Sequence, residues 1–215
     1  MLFNSVSFLI FFPIVVLGYF AIPDKFKNHW LLAASYYFYM AWQPVYALLI
    51  LFSTVTTYYC AVLIDKADNQ KKRKIYLAIN IVVNIAILCY FKYFNFIVES
   101  VLAVFPNLSI APNNNLLAVV GISFYTFQSM SYTMDVYRRQ VDCEKSFVKL
   151  ALYISFFPQL VAGPIVKAKE FIYQLYEDRN INWINFKEGI QVFVFGLFKK
   201  IVIADNISVC VDAVF

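Results

Sequence analysis

Four polar side chains recur along the apolar stretch of residues 116–135. Tyr125, Gln128, Tyr132 and Asp135 are spaced so that a helix would carry them on one face. Polar groups on a lipid-embedded helix face the bundle interior or water, because hydrocarbon offers them no hydrogen bonds. Two interpretations stay open. The residues line a tunnel and bind a passing substrate, or they only form hydrogen bonds to neighbouring helices.

A second candidate site lies in the stretch 150–167, LALYISFFPQLVAGPIVK, which has no charged residue before Lys167. Its prolines and glycine interrupt helical hydrogen bonding. Irregular backbone at membrane depth is tolerated where it is buried in protein or lines a wet cavity. The pattern predicts a re-entrant, broken segment over residues 150–165, and a Pro-kinked spanning helix is the alternative. The residues expected near a substrate path are Pro158, Gln159, Gly163 and Pro164.

Basic residues gather at the ends of several apolar segments. At the cytoplasmic edge of a membrane such cations would attract the phosphates of a nucleotide-linked donor. Ordinary positive-inside charge is the simpler alternative. The donor-side candidates are Arg138, Arg139, Lys167, Lys199 and Lys200.

Catalytic residues and metal ligands are not evident in the sequence. His29, the single histidine, stands beside Trp30 with no nucleophile near it, so an interfacial structural role is expected. No Ser-His-Asp arrangement, Gly-rich phosphate loop or metal-ligand spacing occurs. The cysteines lie far apart along the chain and predict buried small residues or free thiols: Cys60, Cys89, Cys143 and Cys210.

The composition excludes an ordinary soluble domain. Hydrophobic residues make up 62% of the 215 residues and charged residues 14%, whereas soluble domains contain about 25% charged residues. We therefore expect an all-α polytopic protein in the lipid bilayer. Positive-inside loops explain the net charge of +5, which gives no argument for nucleic-acid binding.

Hydropathy and charge predict the order of the segments. The basic run Asp65–Lys74, DKADNQKKRK, is expected to be cytoplasmic, and Glu99–Asn115, without Lys or Arg, an outer loop. A short loop, PDKFKNH, precedes a hairpin broken at Gln43-Pro44. The predicted segments are 2–22, a short leg 30–42, 45–64, 75–94, 116–135, the re-entrant 150–165, an amphipathic interfacial helix 167–187, and two half-helices within 190–215.

Three sequence blocks carry a family resemblance. They are GISFYTFQSMSYTMDVYRR (Gly121–Arg139), FFPQLVAGPI (Phe156–Ile165) and GLFKKIVIAD (Gly196–Asp205). In this order and spacing the chain resembles the membrane-bound O-acyltransferase family. The similar branch is the bacterial one that contains the membrane subunit of alginate O-acetyltransferase. The resemblance covers the front half of such a protein.

The resemblance implies a function. A bacterial inner-membrane, multi-pass enzyme would transfer an acetyl group from a cytoplasmic acyl-CoA-type donor, such as acetyl-CoA, with no bound cofactor. The acceptor would be a cell-envelope polysaccharide such as alginate, or an extracytoplasmic relay protein.

The same resemblance implies that the catalytic histidine lies beyond residue 215. His29 does not inherit that role, and these 215 residues alone are expected to be inactive. Lys167 stands where many members have Arg, which keeps the charge but loses bidentate geometry. The alternatives are a transporter or flippase, which also uses broken helices, and a non-catalytic membrane scaffold subunit.

Overall fold

The computed structural model describes residues 3, 5–105, 113, 119, 121–160, 163–164, 166–177 and 182–212. All regular secondary structure in these ranges is helical, which confirms the all-α prediction there. The α-helices are α1 (Val6–Ala21), α2 (Asp24–Met40), α3 (Ala47–Lys66), α4 (Gln70–Leu88), α5 (Phe94–Val104), α6 (Ile122–Tyr137), α7 (Phe147–Ser155), α8 (Phe157–Leu160), α9 (Ala168–Gln174), α10 (Trp183–Phe198) and α11 (Asp205–Asp212).

Two helical runs in the described ranges are long and apolar enough to cross a membrane. Pro44–Lys66 has 23 residues and Gln70–Val104 has 35. The second run contains a π-helical turn and would rise about 50 Å, more than a hydrocarbon core of about 30 Å. The start of the segment predicted as an outer loop is helical, because α5 continues past Glu99 to Val104, and its position outside the membrane stays a prediction. The helix ends before Phe105, whose successor Pro106 disfavours helical backbone in the residue before it.

Residues 28–177 form one compact unit, in which α3, α4 and α6 pack against one another and α7 packs on α3 and α6. Small side chains at these contacts let the helix backbones approach closely. The buried small and polar residues include Ser53, Thr57 and Ala61 of α3, Asn80 and Asn84 of α4, and Ser129 and Thr133 of α6. This three-helix centre positions the polar face of α6.

The segment before α3 is more helical than the sequence predicted. The expected loop PDKFKNH is largely the first turns of α2, so the leg predicted at 30–42 begins at Asp24. Asp24 favours this start because an acidic residue interacts well with a helix N-terminus, and it pairs with Lys27 at 2.5 Å. The helix ends at Met40, and a short turn over Pro44–Tyr46 leads into α3, so the break falls at the expected proline.

The predicted re-entrant stretch is broken before its first proline. Helix α7 ends at Ser155, and α8 begins immediately after Phe156. Pro158 lies in the first turn of α8, where a missing N–H removes no helical hydrogen bond. Gly163 and Pro164 are non-helical, and the side chains of both prolines are exposed. Residues 161, 162 and 165 lie outside the described ranges, and re-entry into a membrane stays a prediction.

The predicted interfacial helix over residues 167–187 is wrong in its extent. Helix α9 covers only Ala168–Gln174, and α10 begins at Trp183. Within α9, Phe171 and Ile172 are buried while Tyr173 is exposed. The amphipathic pattern thus describes a helix of seven residues that packs on α7.

Residues 1–27 and 178–215 group into a second unit. The two predicted half-helices do not occur, since α10 runs through a π-helical turn at Lys199–Ala204 into α11 without a break. Charged residues do not interrupt a helix, because long lysine side chains extend away from its backbone. Within this unit Phe12 of α1 stacks on Phe193 of α10, with ring centres 5.9 Å apart.

Candidate functional site

The polar face of α6 is buried along most of its length. Tyr125 and Tyr132 have no exposed surface and Gln128 is 4% exposed. Asp135, near the end of the helix, is half-buried. Three of the four predicted residues therefore face the protein interior, as the helical spacing indicates.

Gln128 connects α6 to the broken segment. Its Nε2 donates to the backbone carbonyl of Tyr153 at 2.6 Å and to Oε1 of Gln159 at 3.4 Å. The Tyr153 hydroxyl donates to the carbonyl of Val166 at 3.0 Å, which ties the chain beyond the break back to α7. Two residues predicted from separate patterns, Gln128 and Gln159, thus meet in one place.

Two glycines allow close backbone contacts here. Gly121 caps α6 with φ 78°, and a Cβ there would lie 2.6 Å from the carbonyl oxygen of Leu160. A Cβ on Gly163 would lie 2.5 Å from Cα of Gln159. Any larger side chain would therefore collide with backbone at either position, and the broken segment is held directly against the start of α6.

Some buried hydroxyls have no hydrogen-bond partner among the described residues. They belong to Tyr125 and Thr126 of α6, whereas the buried hydroxyls of Tyr36 and Thr54 lie close enough to interact with each other. Leaving a buried polar group unpaired costs about 1–3 kcal/mol, so such groups mark positions for water or a polar ligand. The unpaired Tyr125 favours the tunnel interpretation of the α6 face. The hydrogen-bonded Gln128, in contrast, fits the interhelical alternative.

Tyr132 holds the loop that follows α6, residues 138–146. The backbone N–H of Glu144 donates to the Tyr132 hydroxyl at 2.8 Å. Glu144 is 6% exposed, and its carboxylate accepts from the Ser146 backbone N–H at 2.8 Å and the Tyr176 hydroxyl at 3.0 Å. The Lys149 Nζ lies 2.8 Å from the centre of the Tyr176 ring. This cluster fixes the loop against α7 and the chain after α9.

An open cleft of about 600 Å³ lies between the 138–146 loop and α9. Of the predicted basic residues, Arg139 lines it, together with Lys145 and Lys169. Arg139 closes α6 in the left-handed region at φ 58°, and its N–H donates to the carbonyl of Val136 at 3.1 Å. Helix capping therefore sets the position of this arginine.

The other predicted basic residues do not line the cleft. Arg138 and Lys167 are exposed at the ends of α6 and α9. Lys199 and Lys200 belong to the second unit, where Lys199 lies 4.5 Å from the ring centre of Phe195 and Lys200 pairs with Asp205. Of the three predicted cations within residues 28–177, only Arg139 lines the cleft.

Burial perturbs two titratable groups around the cleft. It raises the pKa of the Cys143 thiol, although the hydrogen bond with Tyr132 offsets part of the effect. Partial desolvation raises the pKa of Tyr176, and the hydrogen bond and charge of Glu144 raise it further. Both groups therefore stay neutral at physiological pH.

A buried polar network that was not among the predicted site residues joins α3, α4 and α6. Ser53 donates to Asn84 Oδ1 at 2.6 Å and lies 3.2 Å from the Ser129 hydroxyl. Asn80 donates to Thr133 at 2.7 Å. The available signal was a pair of small polar residues four positions apart in each of three apolar segments, the spacing of one helix face.

Arg73 was also missed, because it stands within the basic run Asp65–Lys74. It is 6% exposed, and its guanidinium donates to the carbonyls of Tyr137 at 2.7 Å and Val136 at 3.4 Å. A cation at a helix C-terminus stabilises the unpaired carbonyls there. Arg73 thus fixes the end of α6 from which Arg139 enters the cleft.

Among the described residues, no group of three His, Cys, Asp or Glu side chains could hold a metal ion. Nor do those residues bring a nucleophile and a base together with Gln128 and Gln159. The site that the structure does define is a polar, closely packed junction between α6 and the broken segment, with a basic cleft at one end of α6.

The chain matches curated proteins along its length. It is 33% identical over 219 residues to "Probable alginate O-acetylase AlgI" of Pseudomonas syringae pv. tomato, and 35% identical over 219 residues to the protein of that name in Pseudomonas aeruginosa. Both alignments cover 100% of this chain and 42% of the relative. A "Peptidoglycan O-acetyltransferase" of Helicobacter pylori is 31% identical over 239 residues, covering 96% of this chain and 45% of that protein.

The chain belongs to the same family as these O-acetyltransferases. The resemblance read from the three sequence blocks is therefore confirmed. The chain spans less than half the length of the curated relatives it matches. No family model and no solved structure matches it.

Two of the blocks that carry the O-acetyltransferase resemblance meet in the structure. The block Gly121–Arg139 contains α6, and Phe156–Ile165 contains the break and α8. Gly121 contacts the carbonyl of Leu160, and Gln128 reaches Gln159. The third block, Gly196–Asp205, contains the π-helical turn of the second unit, Lys199–Ala204.

Proposed function

We propose that this chain forms the donor-side part of a multi-pass O-acetyltransferase in the bacterial inner membrane. The enzyme transfers acetyl from a cytoplasmic acyl-CoA-type donor to a cell-envelope polysaccharide or to a relay protein outside. The observation that carries this proposal is the whole-length match to proteins named as alginate and peptidoglycan O-acetyltransferases.

Contacts at one end of the helix bundle support the assignment of a donor side. The Tyr58 hydroxyl donates to the carbonyl of Lys145 at 2.9 Å, and Gln70 donates to the Tyr137 hydroxyl at 2.9 Å. The basic run Asp65–Lys74 and the 138–146 loop therefore lie at the same end. Because Lys- and Arg-rich loops stay in the cytoplasm, this is the end at which a cytoplasmic donor arrives.

The buried face of α6 leads inward from that end. Tyr132 lies beneath the 138–146 loop, Gln128 meets the broken segment, and the Tyr125 hydroxyl has no partner within the described ranges. In our proposal this face is one wall of the acetyl path. Enclosing an activated acyl group in protein keeps water from hydrolysing it.

The decisive experiment measures ester-linked acetate on the envelope polysaccharide of the host. Deleting the gene should remove an O-acetyl fraction, and re-expression of the full-length protein should restore it. Unchanged acetate on every envelope polysaccharide after deletion would contradict the proposal. A transported substrate that accumulates inside the deletion strain, with acetylation intact, would instead indicate a transporter.

The α6 face is tested with matched variants in the complemented strain. Gln128→Leu removes the contacts to Tyr153 and Gln159, whereas Phe127→Leu changes a neighbour that is 46% exposed. We expect at least about a tenfold loss of acetylation for the first at equal protein levels, because small misplacements in a substrate path lower rates strongly. Equal activity of both variants would exclude Gln128 from the path.

A further inference from the structure

The cleft between the 138–146 loop and α9 has the size and lining of a small-molecule site. Its volume of about 600 Å³ falls within the range of about 300–1,000 Å³ that is usual for ligand pockets. Two tyrosine rings form an apolar wall, Tyr173 being 67% and Tyr176 61% exposed.

The charge that this cleft offers a ligand is positive. Arg139, Lys145 and Lys169 line it, against Asp142 and Glu144. The Glu144 carboxylate is buried and already accepts hydrogen bonds from Ser146 and Tyr176, so it is poorly available to a ligand. Three cations facing one exposed carboxylate favour a multiply charged anion.

The cleft also adjoins the proposed acetyl path. The backbone N–H of Glu144, which lines the cleft, donates to the hydroxyl of Tyr132 on the buried face of α6. Arg73 and Tyr58 hold the cleft at the same end as the basic Asp65–Lys74 run. A ligand bound by its charged end here could direct a flexible arm toward Gln128.

We propose that this cleft binds the phosphorylated adenosine end of a coenzyme A thioester, with Arg139, Lys145 and Lys169 on its phosphates and Tyr173 against its base. The inference rests on the proposed function for the choice of donor. Aromatic rings stack on any base, and lysine and arginine bind phosphate without a Gly-rich loop. In this proposal the cleft selects the donor, and other residues carry out the acetyl transfer.

The test measures binding of adenosine bisphosphate, the nucleotide end of coenzyme A, to the full chain in nanodiscs of neutral lipid. The double variant Lys145→Gln, Lys169→Gln should weaken binding at least about tenfold, and added salt should weaken it further. The matched control is Lys71→Gln with Lys72→Gln, two exposed lysines outside the cleft at the same end. It should leave binding within about twofold of the unchanged chain.

Three outcomes would overturn the inference: no binding by the unchanged chain, equal weakening in both double variants, or inorganic phosphate competing as well as the nucleotide. Arg139→Gly supplies a second cleft variant, because glycine tolerates its left-handed backbone. Nanodiscs with anionic lipid form a further arm. If their headgroups displace the nucleotide completely, the cleft is a lipid site and the inference fails.

Failure of the proposed function is distinguishable from failure of this inference. One result would support the cleft and contradict the acetyltransferase proposal. In it, the nucleotide binds and the Lys145/Lys169 variant weakens that binding, while gene deletion leaves all acetylation intact. If acetylation depends on the gene but the variant leaves the KM for acetyl-CoA unchanged, the cleft assignment falls alone.

Discussion

Asn80→Leu tests the polar network that joins α3, α4 and α6. The Asn80 side chain accepts from Thr57 Oγ1 at 3.2 Å and from Asn84 Nδ2 at 3.0 Å, and it donates to Thr133 Oγ1 at 2.7 Å. Leucine has a similar volume, so the substitution removes the hydrogen bonds without opening a large cavity.

The expected loss in the free energy of unfolding is about 2 kcal/mol. Hydrogen bonds between membrane helices contribute about 0.6 kcal/mol each on average. Asn84 keeps its bond to the Asn80 backbone carbonyl at 2.9 Å, and Thr133 keeps its bond to the Ser129 carbonyl at 3.0 Å. Thr57 is the group left unpaired. Its unpaired hydroxyl would explain a loss in the free energy of unfolding larger than three average hydrogen bonds give.

The assay is equilibrium unfolding of the full chain in mixed micelles, with Val82→Leu as the control on a 64% exposed surface of α4. A double-mutant cycle with Thr133→Val isolates one bond and should give a coupling energy near 0.6 kcal/mol. A stable Asn80→Leu protein with zero coupling to Thr133 would refute the claim that the network holds these helices together.

Gly121→Ala should lower stability by at least about 1–2 kcal/mol, measured by thermal unfolding, because it forces a Cβ into left-handed backbone and against the Leu160 carbonyl. Arg73→Met should cost about 1.5–3 kcal/mol in the same assay, because it removes charge-assisted hydrogen bonds to the end of α6. Cys143 should react with maleimide more slowly than the exposed Cys210 at neutral pH. Its raised pKa lowers the fraction of reactive thiolate, and the rate should climb as the pH rises.

Control substitutions of the same residue types accompany these variants. Gly196→Ala should stabilise slightly or change nothing, since among the described residues no atom outside the local helix backbone lies within 4 Å of its added Cβ. Lys72→Met removes a cation from the exposed surface of α4 and should change stability by less than about 0.5 kcal/mol. Equal effects of Arg73→Met and Lys72→Met would refute the capping role of Arg73. Cys143 alkylation as fast as that of Cys210 would show an open thiol.

Periodicity predicted the inward face of α6 but not its neighbours. The spacing of Tyr125, Gln128 and Tyr132 requires one helix face, and lipid drives polar groups to the interior. Their contacts with Gln159 and Glu144 depend on how the chain returns after α6, which no local pattern contains. The role of Arg73 was not predictable for the same reason, because within a basic run the sequence does not distinguish a buried arginine from an exposed one.

Predictions from local sequence patterns were correct for some helix ends and wrong for others. The break near Pro44 was predictable, since proline disrupts helical hydrogen bonding. The Lys199-Lys200 pair was expected to interrupt a helix, yet the helix continues through it, because charge on a side chain leaves the backbone hydrogen bonds intact.

Composition and helical spacing are enough to indicate an apolar, all-helical chain whose polar faces turn inward, and the three sequence blocks indicate the O-acetyltransferase family. The fold was needed to find that Gln128 meets Gln159, that Arg73 caps α6, and that Arg139, Lys145 and Lys169 share one cleft. These pairings join residues distant in the chain, and the packing of helices against one another fixes them.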